Sequence, residues 1–282
     1  MKRQTTFKEN NSKLYLIATP IGNLKDITYR AVETLNMVDY IYCEDTRTSQ
    51  KLLNHYNIKK PLRSVHLFNE NEISQSIINE IKNGKNIGII SDAGLPIISD
   101  PGWIVVHDAI ENDIDVVVIP GVSAGISALI ASGISASKYL FVGFLNSKRA
   151  KRKEELKKLS TIEDTIVMYE SPHRIEETLK ILDEVYKERN ICLARELTKL
   201  HEEYLRGTAK ELLEVIDTIK GEIVLIIDGC KEKVKENPLN KLSLSKHYDY
   251  YIEEGFTSKE ALIKISEDTG LNKNDIYNQL KK

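Results

Sequence analysis

Asp92 follows a short apolar run, residues 87–90, inside a stretch that turns twice, at Ser91-Asp92-Ala93-Gly94 and again at Ser99-Asp100-Pro101-Gly102. Glycine supplies backbone angles that other residues avoid, proline presets its own, and serine and aspartate cap nearby amides. One such cluster is an ordinary turn. Two in tandem, with a carboxylate just past a buried strand, suit a polar ligand held against exposed backbone. Four further segments have this character: 19–24, 44–47, 120–124 and 169–174. Pro120-Gly121-Val122-Ser123-Ala124 leads into a run rich in Gly, Ser and Ala. Small side chains there let a ligand reach the free amides of a helix start, although tight helix-on-sheet packing asks for the same residues.

Each of these segments follows an expected strand: 14–18, 38–43, 87–90, 115–119 and 165–169. Helices are expected over 28–35, 49–55, 70–82 and 103–111, the third with Ile73, Ile77, Ile78 and Ile81 at helical spacing. Alternating strand and helix predicts an α/β fold with a mostly parallel sheet, whose following loops emerge on one edge. After a junction at 135–138, strands are expected at 139–144, 190–195, 203–208 and 222–227, with helices at 151–159, 175–186 and 209–219. Two of these strands follow each other closely, which predicts a hairpin in a mixed sheet. The charged stretch 231–240, with Pro238, reads as a linker. Residues 245–254, 258–269 and 272–282 form three short helical patterns of helix-turn-helix type, with Thr257 or Ser258 and Asn272 as caps. The expected organisation is therefore a flexible N-terminus (1–13), a first α/β domain (14–135), a second (138–230), a linker (231–240) and a small trihelical domain (241–282).

Composition removes several function classes. Hydrophobic content of 41%, charged content of 29% and a net charge of -2 describe a globular chain without a uniformly basic coat. Cys43, Cys192 and Cys230 lack disulfide or metal spacing, which suits a reducing cytoplasm. His66, His173 and His201 are scattered, so no metal is expected. Neither GxGxxG nor GxxxxGK[ST] occurs. Residues 116–137 carry no charge, but Pro120-Gly121 and five serines make a strand, turn and helix a better reading than a membrane span. Eight basic residues fall within 138–160, among them Lys148, Arg149 and Arg152, against Glu154 and Glu155. Such a run either faces solvent or neutralises phosphates in salt-sensitive binding.

Taken in order, the segments resemble a known family. They are Leu14-Tyr15-Leu16-Ile17-Ala18-Thr19-Pro20-Ile21-Gly22-Asn23-Leu24, Glu44-Asp45-Thr46-Arg47, residues 91–102, residues 120–124, Gly143-Phe144-Leu145, Tyr169-Glu170-Ser171-Pro172-His173-Arg174, Arg195-Glu196-Leu197-Thr198-Lys199 and Gly221-Glu222. Together they are similar to the bacterial 16S rRNA (cytidine) 2′-O-methyltransferases of the tetrapyrrole-methylase superfamily. Two positions depart from the pattern: Leu95 where the family has Thr, and Asn146 where it has Pro. The resemblance implies two α/β domains, a homodimer, and S-adenosylmethionine in the cleft between the domains. By position, Pro20, Asp92, Leu95, Ser123, Ala124 and Tyr169 would hold that cofactor. The implied substrate is a decoding-site cytidine of 16S rRNA in the 30S subunit. A ribose hydroxyl is a weak nucleophile at neutral pH and needs help in losing its proton. Glu44, Asp45, His173, Glu196 and Lys199 are the candidates, and Glu196 with Lys199 is the preferred pair. Lys199 would need a lowered pKa to act as base. Arg47, Arg174 and Arg195 are suited to phosphates, which the guanidinium fork grips bidentately. The alternatives are a small-molecule tetrapyrrole methylase and a non-catalytic nucleic-acid-binding protein. The basic run and the helical tail favour RNA over the first, and the convergent loops favour catalysis over the second.

Overall fold

The computed structural model describes residues 1–6, 11–65, 70–231, 239 and 242–280. The chain divides into two compact units, Met1–Cys230 and Lys231–Lys282. The first holds two five-stranded sheets. In the first sheet, strands β1 (Leu14–Ile17), β2 (Tyr40–Cys43), β3 (Leu62–Ser64), β4 (Ile87–Ile89) and β5 (Val116–Ile119) pair in the order β3-β2-β4-β1-β5. Every pairing is parallel, with Leu14 opposite both Ile87 and Val116. The intervening helices are α1 (Tyr29–Met37), α2 (Thr46–His55), α3 (Glu70–Lys82) and α4 (Trp103–Glu111). Short runs such as Ile87-Gly88-Ile89, buried throughout, pair this way because helices cover both faces. One face buries Leu14, Leu16 and Ile87 against α3 and α4; the other buries Ile17 and Ile41 against Leu35 and Leu53. Each fully buried Ile or Leu contributes roughly 2 kcal/mol. At the free edge, Gln4 pairs its side-chain amide with both backbone groups of Val116, at 2.9 and 3.1 Å. The segment read as a flexible N-terminus thus has its first residues laid against β5.

The second sheet is mixed. Strands β6 (Tyr139–Phe144), β7 (Thr165–Glu170), β8 (Ile191–Arg195), β9 (Glu203–Gly207) and β10 (Ile223–Ile227) run in the order β6-β7-β10-β8-β9. β6 and β7 are parallel, the remaining pairs are antiparallel, and β8–β9 is the expected hairpin. Helices α6 (Arg149–Leu159), α7 (Ile175–Tyr186) and α8 (Ala209–Leu213) cover one face. The helix expected over 209–219 stops early and gives way to a 3-10 turn, Ile216–Thr218, where Thr218 Oγ1 donates to the Val215 carbonyl instead of leaving the backbone to a helical ladder. The other face receives α5 (Ala124–Ala131): Ala128 and Leu129 pack with Val167, Cys192, Ala194 and Val224. By sequence α5 falls in the first α/β domain; by packing it belongs to the second sheet. Residues 116–137 thus form β5, a turn and α5. Among the described residues, no helix is long and apolar enough to cross a membrane.

The second unit contains α9 (Leu244–Glu253), α10 (Ser258–Thr269) and α11 (Lys273–Leu280) around Ala261, Ile265 and Ile276. Thr257 and Glu260 form a capping box, and Gly270 ends α10 in the left-handed conformation that only glycine adopts cheaply. Buried His247 meets Asp268 at 3.0 Å, and Tyr251 donates to the same carboxylate. Apart from Lys231 and Leu239, the expected linker lies outside the described residues, as does His66.

Candidate active site

A cavity of about 380 Å³ opens beyond the carboxyl ends of the first sheet's strands. The loop after β4 lines it with Asp92, Gly94, Leu95 and Asp100, the start of α5 with Ser123 and Ala124, and the end of β7 with Tyr169. The β4 loop takes up left-handed backbone at Gly94, Ile97, Ser99 and Gly102. For β-branched Ile97 that conformation costs on the order of 1–3 kcal/mol and persists only where the surroundings enforce it. They do so at both ends. Thr19 and Gly94 exchange backbone hydrogen bonds of 2.8 and 3.1 Å. Buried Glu70 accepts from the Gly102 and Ile104 amides at 2.9 and 2.8 Å. The hydroxyl of Tyr169 contacts the Gly125 amide and the Ser123 side chain, and burial raises its pKa. Burial, followed by the charges of Glu44 and Asp92, pushes Asp100 up to about 6.

A second cavity, of about 320 Å³, adjoins the first and shares Ile21, Asp92, Ala93 and Glu222 with it. Pro20 lines this one and not the larger, so the proline expected at the cofactor stands on the neighbouring side. Lys199 lines it too, donating to Glu196 Oε1 at 3.0 Å and to Glu222 Oε2 at 2.9 Å. Glu196 Oε1 also accepts from the Glu222 amide at 3.0 Å. The expected Glu196 and Lys199 are thus brought together, with Glu222 joined to both. Burial alone would lower the Lys199 pKa, but the hydrogen bonds and charges of Glu222 and Glu196 raise it, which favours the ammonium form over a free base. Glu196 lines neither cavity, and its carboxyl is held below the usual range, first by the Lys199 hydrogen bond and then by the Glu222 amide. Glu222, which lines both cavities, was not singled out among the proton acceptors, because a lone glutamate entering a strand carries no local signal.

The comparisons decide the family. The model of the Tetrapyrrole (Corrin/Porphyrin) Methylases matches residues 13–213. A Halalkalibacterium halodurans protein named Ribosomal RNA small subunit methyltransferase I is 43% identical over 284 residues, which cover 99% of this chain and 98% of that one. Its Haemophilus influenzae namesake is 45% identical over 269 residues, 94% of each chain. The chain belongs to the ribosomal RNA small subunit methyltransferase I family. A uroporphyrin-III-C-methyltransferase from Thermus thermophilus shares the fold, with a TM-score of 0.57 at 17% identity over 77% of this chain and 94% of that one. As a member of this family the chain is a methyltransferase dependent on S-adenosyl-L-methionine. The larger cavity fits that cofactor: its volume is that of a small-molecule pocket, Leu95 and Ile98 offer apolar wall, and Asp92 and Asp100 can face a cation. Ser123 makes no side-chain bond to the first turn of α5, where the Tyr169 hydroxyl meets the Gly125 amide.

The residues expected to meet RNA, from the basic run and from the arginines suited to phosphates, divide sharply. Lys148 and Arg149 are exposed at the start of α6, although Arg149 Nε lies 3.2 Å from Glu177. Arg47 is exposed on the first turn of α2, where it grips Asp45 through Nε and Nη2 at 3.1 and 2.9 Å and holds that carboxyl down to about 2. The segment 44–47, expected as a loop, is therefore a helix start with Asp45 as its cap. Arg152 is corrected: its side chain is 0% exposed and paired with Glu177 between α6 and α7. Arg174 is corrected as well, since it lies 3.3 Å from buried Glu170 and donates to the Leu145 and Asn146 carbonyls at 2.9 and 3.1 Å. It ties the β6 and β7 loops together. Asn146 shapes this turn by accepting from the Lys148 amide at 3.0 Å. Among the described residues, no group of three His, Cys, Asp or Glu side chains is placed to hold a metal.

Proposed function

We propose that the chain methylates the ribose 2′-hydroxyl of a decoding-site cytidine in 16S rRNA, with the 30S subunit as its substrate. The observation that carries this is the near full-length identity of 43–45% to proteins named Ribosomal RNA small subunit methyltransferase I. The sugar position and the nucleotide are supported by the motif resemblance, and the two adjoining cavities supply room for donor and acceptor.

In this reading the bound cofactor supplies a methyl carbon on a cationic sulfur. Asp92, Leu95, Ser123, Ala124 and Tyr169 hold it in the larger cavity, and Pro20 borders the acceptor beside it. Alignment of oxygen, carbon and sulfur then provides much of the acceleration by positioning. Lys148, Arg149 and Arg47 are the exposed cations for phosphates. The family resemblance favours the homodimer, and a ribosomal substrate implies a cytoplasmic location. The test is tritium transfer from labelled S-adenosylmethionine to 30S subunits prepared without the modification, followed by nucleoside analysis. Label is expected in 2′-O-methylcytidine. Label on a base, on tetrapyrroles alone, or nowhere would overturn the proposal.

A further inference from the structure

Glu222 is placed where the two cavities meet and, among the described residues, shares with Asp92 the position of a carboxylate lining both. It lies just before β10 and is fixed three ways. Its amide donates to Glu196 at 3.0 Å, its Oε2 accepts from Lys199 at 2.9 Å, and β10 is paired on both sides. No hydrogen bond to its Oε1 is found among the described residues, and its side chain is 74% exposed. Asp92, the other carboxylate shared by both cavities, accepts from the Asp45 amide at 3.4 Å and sits beside Asp100 on the β4 loop. That loop is the cofactor's wall, so Asp92 is spoken for on the donor side.

We propose that Glu222 is the catalytic base that takes the proton from the acceptor hydroxyl, held in place by the Lys199 ammonium, with Glu196 as the positioning residue behind both. This rests on the two-cavity reading given above. Glu222 Oε1 takes the hydroxyl proton as the oxygen's electron pair forms the new bond to the sulfonium methyl carbon. The carbon–sulfur pair is left on a neutral thioether, and the carboxylic acid afterwards returns the proton to solvent. The ammonium of Lys199 fixes the orientation of the carboxylate by donating to its Oε2 at 2.9 Å, which leaves Oε1 for the acceptor. Gly22 completes the arrangement. A Cβ there would come within 2.7 Å of Lys199 Cγ and 2.8 Å of Thr198 Oγ1, so only glycine lets the β1 loop close over the lysine stem.

The experiment compares wild type, Glu222→Gln, Glu222→Asp and Asp92→Asn on unmodified 30S subunits, with S-adenosylhomocysteine affinity measured by calorimetry. Glu222→Gln should lower kcat about 100-fold, with KM for the subunit and the calorimetric affinity unchanged within about threefold. Its pH–rate profile should lose the acid limb of the wild type, and Glu222→Asp should restore part of kcat. A kcat loss of less than about tenfold overturns the assignment, and so does a loss matched by weaker S-adenosylhomocysteine binding. Full activity in Glu222→Gln beside a dead Asp92→Asn would move the base across the cleft. Label transfer by wild type tests the proposed function separately, so the two failures are distinguishable.

Discussion

Replacing Asp100 by Asn isolates the electrostatic tension at the cofactor cavity. Among the described residues no cation offsets the charge of Asp100; burial, Glu44 and Asp92 raise its pKa from the ordinary 3.8 to about 6. At ~1.4 kcal/mol per pH unit, ionising it in the native state costs up to roughly 3 kcal/mol more than in the unfolded chain. Water in the open cleft screens part of this, leaving about 1–3 kcal/mol. Between pH 4 and 6 the native protein keeps a proton that the unfolded chain has released, so stability falls as pH rises through that window and is level above it. Asn preserves the shape and removes the titration. Urea unfolding from pH 4 to 8 should show Asp100→Asn gaining about 1–3 kcal/mol over wild type between the two ends. Binding of the cationic cofactor should reverse the tension: calorimetry near pH 6 in buffers of different ionisation enthalpy should find a proton released by wild type and none by the variant. A wild-type-minus-variant difference that does not change between pH 4 and 7 would refute the reasoning.

Two further expectations follow from the corrected assignments. Lys148→Ala with Arg149→Ala should weaken RNA binding and reduce the slope of log K against log salt by ~1.4, if each contact neutralises one phosphate on single-stranded RNA. Arg152→Met should leave that slope alone, since the guanidinium is enclosed between α6 and α7; filter binding over a salt series checks both. Gly221→Ala would place a Cβ inside the Glu196 carboxylate and strain a left-handed backbone at φ +86°. It should cost about 1–3 kcal/mol, read as a lower melting temperature, and it should also lower methyl transfer by displacing the Glu196–Lys199–Glu222 contacts.

Where the pattern is local, the sequence was enough. Apolar spacing and flanking turns gave α3 at Glu70–Lys82, α4 at Trp103–Glu111, α7 at Ile175–Tyr186 and α10 at Ser258–Thr269 to the residue. The parallel-then-mixed division followed from the alternation of elements and from the close spacing of β8 and β9. What failed was long-range pairing of charges. Arg152 finds Glu177 twenty-five positions away, and Arg174 finds carbonyls twenty-eight and twenty-nine positions back. A basic residue in a basic run gives no sign that its partner lies on the next helix. The same blindness hid Glu222: the clue was Gly221, whose left-handed backbone makes room for Glu196, and a backbone angle is not written in residue types.

The position of the site follows from the route of the chain between the sheets. After β5 the backbone must turn at Pro120-Gly121, and a Cβ at Gly121 would come within 2.6 Å of Ala18 Cβ, so the turn is pressed against the end of β1. From there α5 crosses to the second sheet and buries Ala128 and Leu129 on it, while Ile21 from the β1 loop enters the same cluster. The two sheets are thereby held by one shared apolar layer at the edge where the β1, β4 and β5 loops emerge. A cleft formed on that layer has fixed walls: one carries the β4 loop with Asp92 and Asp100, the other Tyr169, Lys199 and Glu222. Neither sheet alone presents both carboxylate-bearing walls, so the chemistry depends on the small-residue helix that locks them together.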